Sequence, residues 1–368
     1  MPLTDLPTDA LGQVLYRLPI AHDIALVKST CRQLHDAAKH AMALRPFSGK
    51  VVTLDTMPGE PDERTSTRIA VTDVGDILVS CEFDMEGTIT RWHGAEWESQ
   101  TLGKVNNWPT SIAVLPDGRF ITGSDDEGAM LWTSQSAFVR SFDTNGVEVK
   151  SLAVLPDGVH FAVGLARETD DQPADHYIRL FHIDGALIHI FKGHIDDVTM
   201  LVTTRDGQHI ISGADDYDVR VWSVASKSLV STCEGHAGNV WALSVTPDDQ
   251  RILSGAEDRS VCVWRLNGDF LKKFDHLHPR GAVCSLLALP DNRHALSGAW
   301  DMTVKLFCID DGSILRSIAI PQTNAERPDL HGMGTWVIQL ELLRDRRRFA
   351  ASATDGTVLI YEHGLAPQ

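Results

Sequence analysis

Residues 111–118 read Ser-Ile-Ala-Val-Leu-Pro-Asp-Gly, and residues 151–158 read Ser-Leu-Ala-Val-Leu-Pro-Asp-Gly. Each is a short alternating apolar run that stops at a Pro-Asp-Gly turn, where Pro presets the first central position and Asp or Gly accepts the next. Weaker copies stand at 69–75, 201–207, 243–249 and 286–292. Downstream of three copies a second strand carries Ser-Gly: ISGADD (211–216), LSGAED (253–258) and LSGAWD (296–301). A third strand then ends in an aromatic, as in VRVWS (219–223), VCVWR (261–265), VKLFC (304–308) and VLIYE (358–362).

Those aromatics are Trp92, Trp132, Phe181, Trp222, Trp264, Phe307 and Tyr361, spaced by 40, 49, 41, 42, 43 and 54 residues. A period near forty with four strands per unit is the signature of a β-propeller. Gly193-His194, Gly235-His236 and an Asp six residues before the aromatic (Asp126, Asp216, Asp258, Asp301, Asp355) complete the pattern. It resembles the WD-repeat family. The fold expected is an all-β, seven-bladed WD-repeat propeller over 49–368, preceded by a small α-helical domain over 1–48. In that family a repeat begins on the outer strand of the previous blade, so the last blade lacks one. KVVTLDT (50–56) is a spare strand ahead of repeat one, expected to complete blade seven and remove two open edges.

The leader has helical periodicity. Leu6, Leu11, Val14, Leu15 and Leu18 form one apolar stripe, Thr4 or Thr8 can cap it, and Pro7 suits a first turn. Ile24, Leu26, Val27, Cys31 and Leu34 make a second apolar set. So short a segment buries little alone, and its stripe calls for a partner. The series Leu6-Pro7-x-Asp9-x-Leu11, Val14-Leu15, Leu18, Asp23-Ile24 and Cys31-Arg32-x-Leu34 resembles the F-box. The loop after Leu18 is one residue longer than usual, and Leu34 replaces a frequent aromatic. The resemblance implies docking onto the adaptor of an SCF-type ubiquitin ligase, and through it a cullin. The adaptor-facing residues would be Leu6, Pro7, Leu11, Val14, Leu15, Leu18, Ile24, Leu26, Val27, Cys31 and Leu34.

Bulk composition narrows the class. The apolar fraction of 43% in 368 residues supports an ample core. No run of eighteen apolar residues occurs, and the start lacks the basic and apolar regions of a secretory signal. The six cysteines form no Cys-x-x-Cys pair and read as small buried thiols, so cytosol or nucleus is expected. The net charge is −17, and it belongs to the strand-rich part because residues 1–48 are near neutral. Such a surface repels phosphate backbones and anionic membranes.

His194, Ser212, Asp216 and Trp222 recur as His236, Ser254, Asp258 and Trp264. Ser, His and Asp together suggest nucleophilic catalysis, but a repeated set ending on an indole N–H suits a buried hydrogen-bond chain. No cofactor is expected. His276, His278 and His331 are too weakly linked to suggest a metal. Propeller function sits on the faces. Two insertions, 166–176 and 321–334, fall on the face called the top. Register places Thr65, Trp108, Glu148, Asp197, Asn239, Ala282 and Trp336 at its rim, beside Asp125, Asp215, Glu257, Trp300 and Thr354, with Trp241 and Tyr217 adjacent. The target-binding residues expected are Trp108, Asp125, Asp197, Asp215, Tyr217, Trp241, Glu257, Trp300 and Trp336. Aromatic anchors in an acidic field suit a target with a basic motif. Relatives of this architecture that read phosphorylated degrons use several arginines there; here Arg259, Lys150 and Arg280 are the only candidates. The function expected is a non-catalytic substrate receptor. A scaffold without ligase recruitment is the alternative, and a propeller enzyme a third.

Overall fold

A computed structural model of the chain describes residues 52–55, 67–83, 86–93, 97–105, 109–166, 176–320, 336–354 and 357–365. The leader with its adaptor-facing positions lies outside the described residues, as do Thr65, Trp108, Asp355, His331 and the interiors of both insertions. What is described forms seven four-stranded antiparallel sheets. Blades one to six span residues 68–104, 109–142, 149–191, 198–233, 240–274 and 283–319, each in simple sequential strand order. Blade seven is assembled differently. Its outer strand is Val52–Asp55, paired antiparallel with Thr357–Glu362 in the register Val52↔Ile360 and Asp55↔Thr357. The strand read at 50–56 therefore closes the ring as expected.

First strands of successive blades touch, and blade seven's touches blade one's, so they form the inner wall. Second strands are the most buried: Phe120–Ser124 and Ile252–Ala256 are buried at every residue. Fourth strands face solvent, as in the outer strand Phe270–Phe274. The core is not central. It is divided into seven apolar clusters, each lying between two adjacent blades. Each period-setting aromatic joins the cluster shared with the preceding blade. Phe307 of blade six, for example, sits among Leu253, Val263 and Phe274 of blade five. Fully burying a side chain of this size contributes about 1.5–3 kcal/mol.

The Ser-Gly of the second strand faces the other way, toward the following blade. A Cβ on Gly213 would lie 2.6 Å from Val240 Cγ1, and one on Gly298 would lie 2.6 Å from Val337 Cγ1. Gly255 meets Val283, Gly164 meets Val198 and Gly123 meets Val149 in the same manner. Here glycine is a socket for the next blade's first valine, used for close approach. Ser80 and Ser352 occupy this slot in blades one and seven, and their buried hydroxyls lack hydrogen-bond partners.

Blades two to seven share a register shift near the start of the first strand. In blade five it falls between Val240 and Ala242, and in blade six between Val283 and Ser285. The skipped residues include Thr110, Lys150, Thr199, Trp241, Cys284 and Ile338. A bulge of this kind re-aims the extra side chain.

Candidate functional site on the top face

The repeated polar set is a buried strut. Trp222 Nε1 donates to Ser212 Oγ at 2.8 Å, His194 Nε2 lies 2.7 Å from that oxygen, and His194 Nδ1 lies 2.8 Å from Asp216 Oδ2. Trp264, Ser254, His236 and Asp258 repeat it at 2.7, 2.7 and 3.2 Å. The carboxylate fixes the Nδ1–H tautomer, so Nε2 accepts from the serine hydroxyl. Ser212 and Ser254 are wholly buried between these partners, so neither presents a nucleophile to a substrate. In blade two Trp132 donates to Thr122 Oγ1 at 2.7 Å. Sequence reading missed a third His. His278, fully buried, joins Ser297 at 2.8 Å and Asp301 at 3.0 Å. Leu277 replaces the usual glycine, and the His-to-Ser separation is 19 residues rather than 18, which hid it. His276 bonds the Gly312 carbonyl instead.

Burial alone would raise the three aspartates, but bonding to histidine and to nearby amides or hydroxyls outweighs it and holds Asp216, Asp258 and Asp301 below the ordinary carboxylate range. Arg220, Lys273 and Lys305 add cations at 3.6, 3.1 and 3.8 Å. The five described cysteines are free thiols, and burial pushes Cys233 and Cys262 up to about 12.

Above these struts the top rim is built from pairs. The amide following each second strand donates to the carbonyl preceding the first: Asp215 to Asp197 (2.9 Å), Glu257 to Asn239 (2.9 Å), Trp300 to Ala282 (3.0 Å) and Thr354 to Trp336 (3.1 Å). The two rows of rim positions therefore sit side by side in blades four to seven. Trp241, carried on the bulge of blade five, stacks on Trp300 of blade six at 5.1 Å between centroids and 29° between planes. Trp300 in turn meets Trp336 of blade seven at 5.4 Å and 37°. Three indoles thus run continuously across three blades. Trp300 is 37% exposed, while Trp241 and Trp336 are half-buried beside it.

Among the described residues, the carboxylates Asp125, Glu148, Asp197, Asp215 and Glu257 belong to blades two to five, and the indoles Trp241, Trp300 and Trp336 to blades five to seven. The Trp241 indole lies near the Asp215 carboxyl, bringing the aromatic arc next to an acidic one. Burial, then the charges of Asp197 and Asp196, push the Asp215 carboxyl up to about 6. Burial also raises Glu148, with Asp125 and Asp197 adding to it and Lys150 opposing. Glu257 is exposed at blade five, flanking the indoles, and Tyr217 is exposed at a turn tip of blade four with φ +72°. Lys150 is paired with Glu148 at 2.5 Å, and Arg259 donates to the Pro279 carbonyl at 3.0 Å. Of the three basic candidates, two are thus engaged with the protein itself and Arg280 is exposed.

The arrangement matches known proteins at the level of its repeats. The family described as WD domain, G-beta repeat matches residues 99–133, 185–223, 227–265 and 268–308. The chain is 30% identical to rat WD repeat-containing protein 18 over 139 residues, 32% of this chain and 28% of that one. It is 25% identical to chicken WD repeat-containing protein 1 over 209 residues, covering 46% and 34%, and to rat Striatin-3 over 172, covering 44% and 21%. The chain thus spans about a third or less of each of these relatives. It carries WD40 repeats on a seven-bladed propeller, an architecture that suggests protein–protein interaction. No helix among the described residues is long and apolar enough to cross a membrane.

Proposed function

We propose that this chain is a non-catalytic receptor whose top face holds a target protein through a basic motif, while its leader delivers that target to an SCF-type ubiquitin ligase. The observation that carries the target half is the indole run Trp241–Trp300–Trp336 abutting Asp215 and Asp197. Exposed indole faces attract an arginine or lysine side chain, and adjacent carboxylates steer it. Among the described residues, two of the three basic candidates on this face are engaged within the protein, which disfavours a phosphate-bearing motif. The ligase half rests on the F-box pattern of residues 6–34. Its contribution is positioning: a tethered target presents its lysines at raised effective concentration. Cytosol or nucleus is the compartment this role needs.

Two measurements test the halves separately. A labelled peptide alternating arginine with glycine is expected to bind wild type and to lose about tenfold affinity with Trp300→Ala. Equal binding by both proteins would remove the target assignment. Wild type is expected to co-elute with the ligase adaptor, and Leu11→Asp with Leu15→Asp to abolish this. Failure of wild type to co-elute leaves the second reading, a scaffold without ligase recruitment. The confinement of the family matches to residues 99–308 favours that second reading.

A further inference from the structure

Where blade three meets blade four, three metal-competent groups converge. His176 precedes the third strand of blade three, and Asp196 and Asp197 precede the first strand of blade four. One ligand atom from each lies within 4.8 Å of the other two. Acidic clusters are common on an acidic protein, so the carboxylates alone assign nothing. The imidazole adds an independent observation. The His176 side chain is nine-tenths buried, and its Nδ1 is enclosed without a hydrogen bond. Asp197 Oδ1 lies 3.3 Å from that nitrogen. This is too poorly aligned for a hydrogen bond, yet it equals the edge of a tetrahedron whose corners stand about 2.0–2.1 Å from a central ion. Asp215 Oδ1 is likewise buried without a hydrogen-bond partner. Lys150, the nearby cation, is already paired with Glu148.

We propose that His176, Asp196 and Asp197 bind one divalent transition-metal ion of the Zn²⁺ class. One imidazole with two carboxylates suits zinc or a neighbouring borderline ion better than Mg²⁺ or Ca²⁺, which take all-oxygen sites. Asp196 keeps one oxygen for the Asp197 amide at 2.9 Å, which orients the second for the ion. The ion would tie the end of the blade-three insertion to the entry of blade four. It would also neutralise carboxylates next to Trp241. This assignment does not depend on the receptor reading.

The test is isothermal titration of the full-length, metal-stripped protein with ZnCl₂ alone, repeated with MgCl₂ and CaCl₂. One equivalent of Zn²⁺ is expected to bind and to raise the thermal midpoint, as any ligand selective for the folded state does. His176→Gln and Asp197→Asn are each expected to weaken it by about tenfold or more. Asp196→Asn, at an exposed position, keeps the test open if either of these variants fails to fold. Asp157→Asn, in a distant turn, serves as the control and is expected to bind like wild type. Unchanged binding in all three site variants, equal response to Mg²⁺ and Ca²⁺, or no binding by wild type would overturn the proposal.

Discussion

Ser212, Ser254 and Ser297 each hold a histidine that is held in turn by an aspartate, and this fixes how the protein responds to acid. Asp216, Asp258 and Asp301 have folded values below the ordinary carboxylate value of about 3.9. As pH falls, the unfolded chain takes up these protons first. Their stabilisation is complete above about pH 4–5 and drains away as pH drops through the folded values. Asp215 has the opposite sign. Held at about 6, it favours the folded state below its unfolded value and loses that contribution as pH rises through 6. Urea midpoints measured from pH 7 to 3 are expected to fall steeply below about pH 4, and Asp258→Asn to lower the midpoint at pH 7 while flattening that fall. A parallel fall in wild type and variant would detach the effect from Asp258. At this scale two of the three His-Ser-Asp sets were legible as repeated residues. His278 was not, because one extra residue in its loop shifts it out of register. Register placed Trp241 beside the rim, but its stacking on Trp300 was not legible, because an alternating strand pattern carries no mark of where a bulge falls.

A strand here is specified jointly by its own repeat and by its neighbour. The Ser-Gly dipeptide is plain in the sequence, but the reason for the glycine lies one repeat downstream, in a valine that closes over it. Gly255→Ala puts a methyl group 2.5 Å from Val283 Cγ1 in a fully buried seam. The expected cost is about 1–3 kcal/mol, read as a lowered urea midpoint at unchanged slope. Val283→Ala in the same chain is expected to recover part of that loss, since the two changes share one contact. Additive losses would show that the glycine acts through its backbone instead. The same cross-repeat logic made the indole run hard to foresee. Trp241, Trp300 and Trp336 come from a bulge, the end of a second strand and the entry to a first strand, in three different blades. Register placed all three at or beside the rim, and the packing of consecutive blades brings them into contact.

At the scale of the molecule, blade count and closure were both legible, because seven aromatics fixed the period and one spare strand matched the one missing edge. The same closure sets direction. First strands start at the top rim, so third strands descend and Val52–Asp55, antiparallel to Thr357–Glu362, ascends toward it. The Val52 end of this strand therefore lies on the face opposite the indoles. That opposition could not be read before the register Val52↔Ile360 was known, since sequence alone fixes neither the pairing nor its polarity.

The strand that closes the ring has a mechanical consequence. Val52 and the end of the last strand at Glu362 leave their shared ladder at the same end. Tension applied between the two ends of the chain then acts across the ladder, opening its hydrogen bonds one after another from Val52↔Ile360, rather than shearing them together. In an optical trap with handles at the two termini, the first event is expected at low force, releasing the clasp while blades two to six stay folded. A single high-force rupture of the whole ring would contradict it. A fold closed through seven inter-blade seams would thus carry one tab that opens easily when pulled.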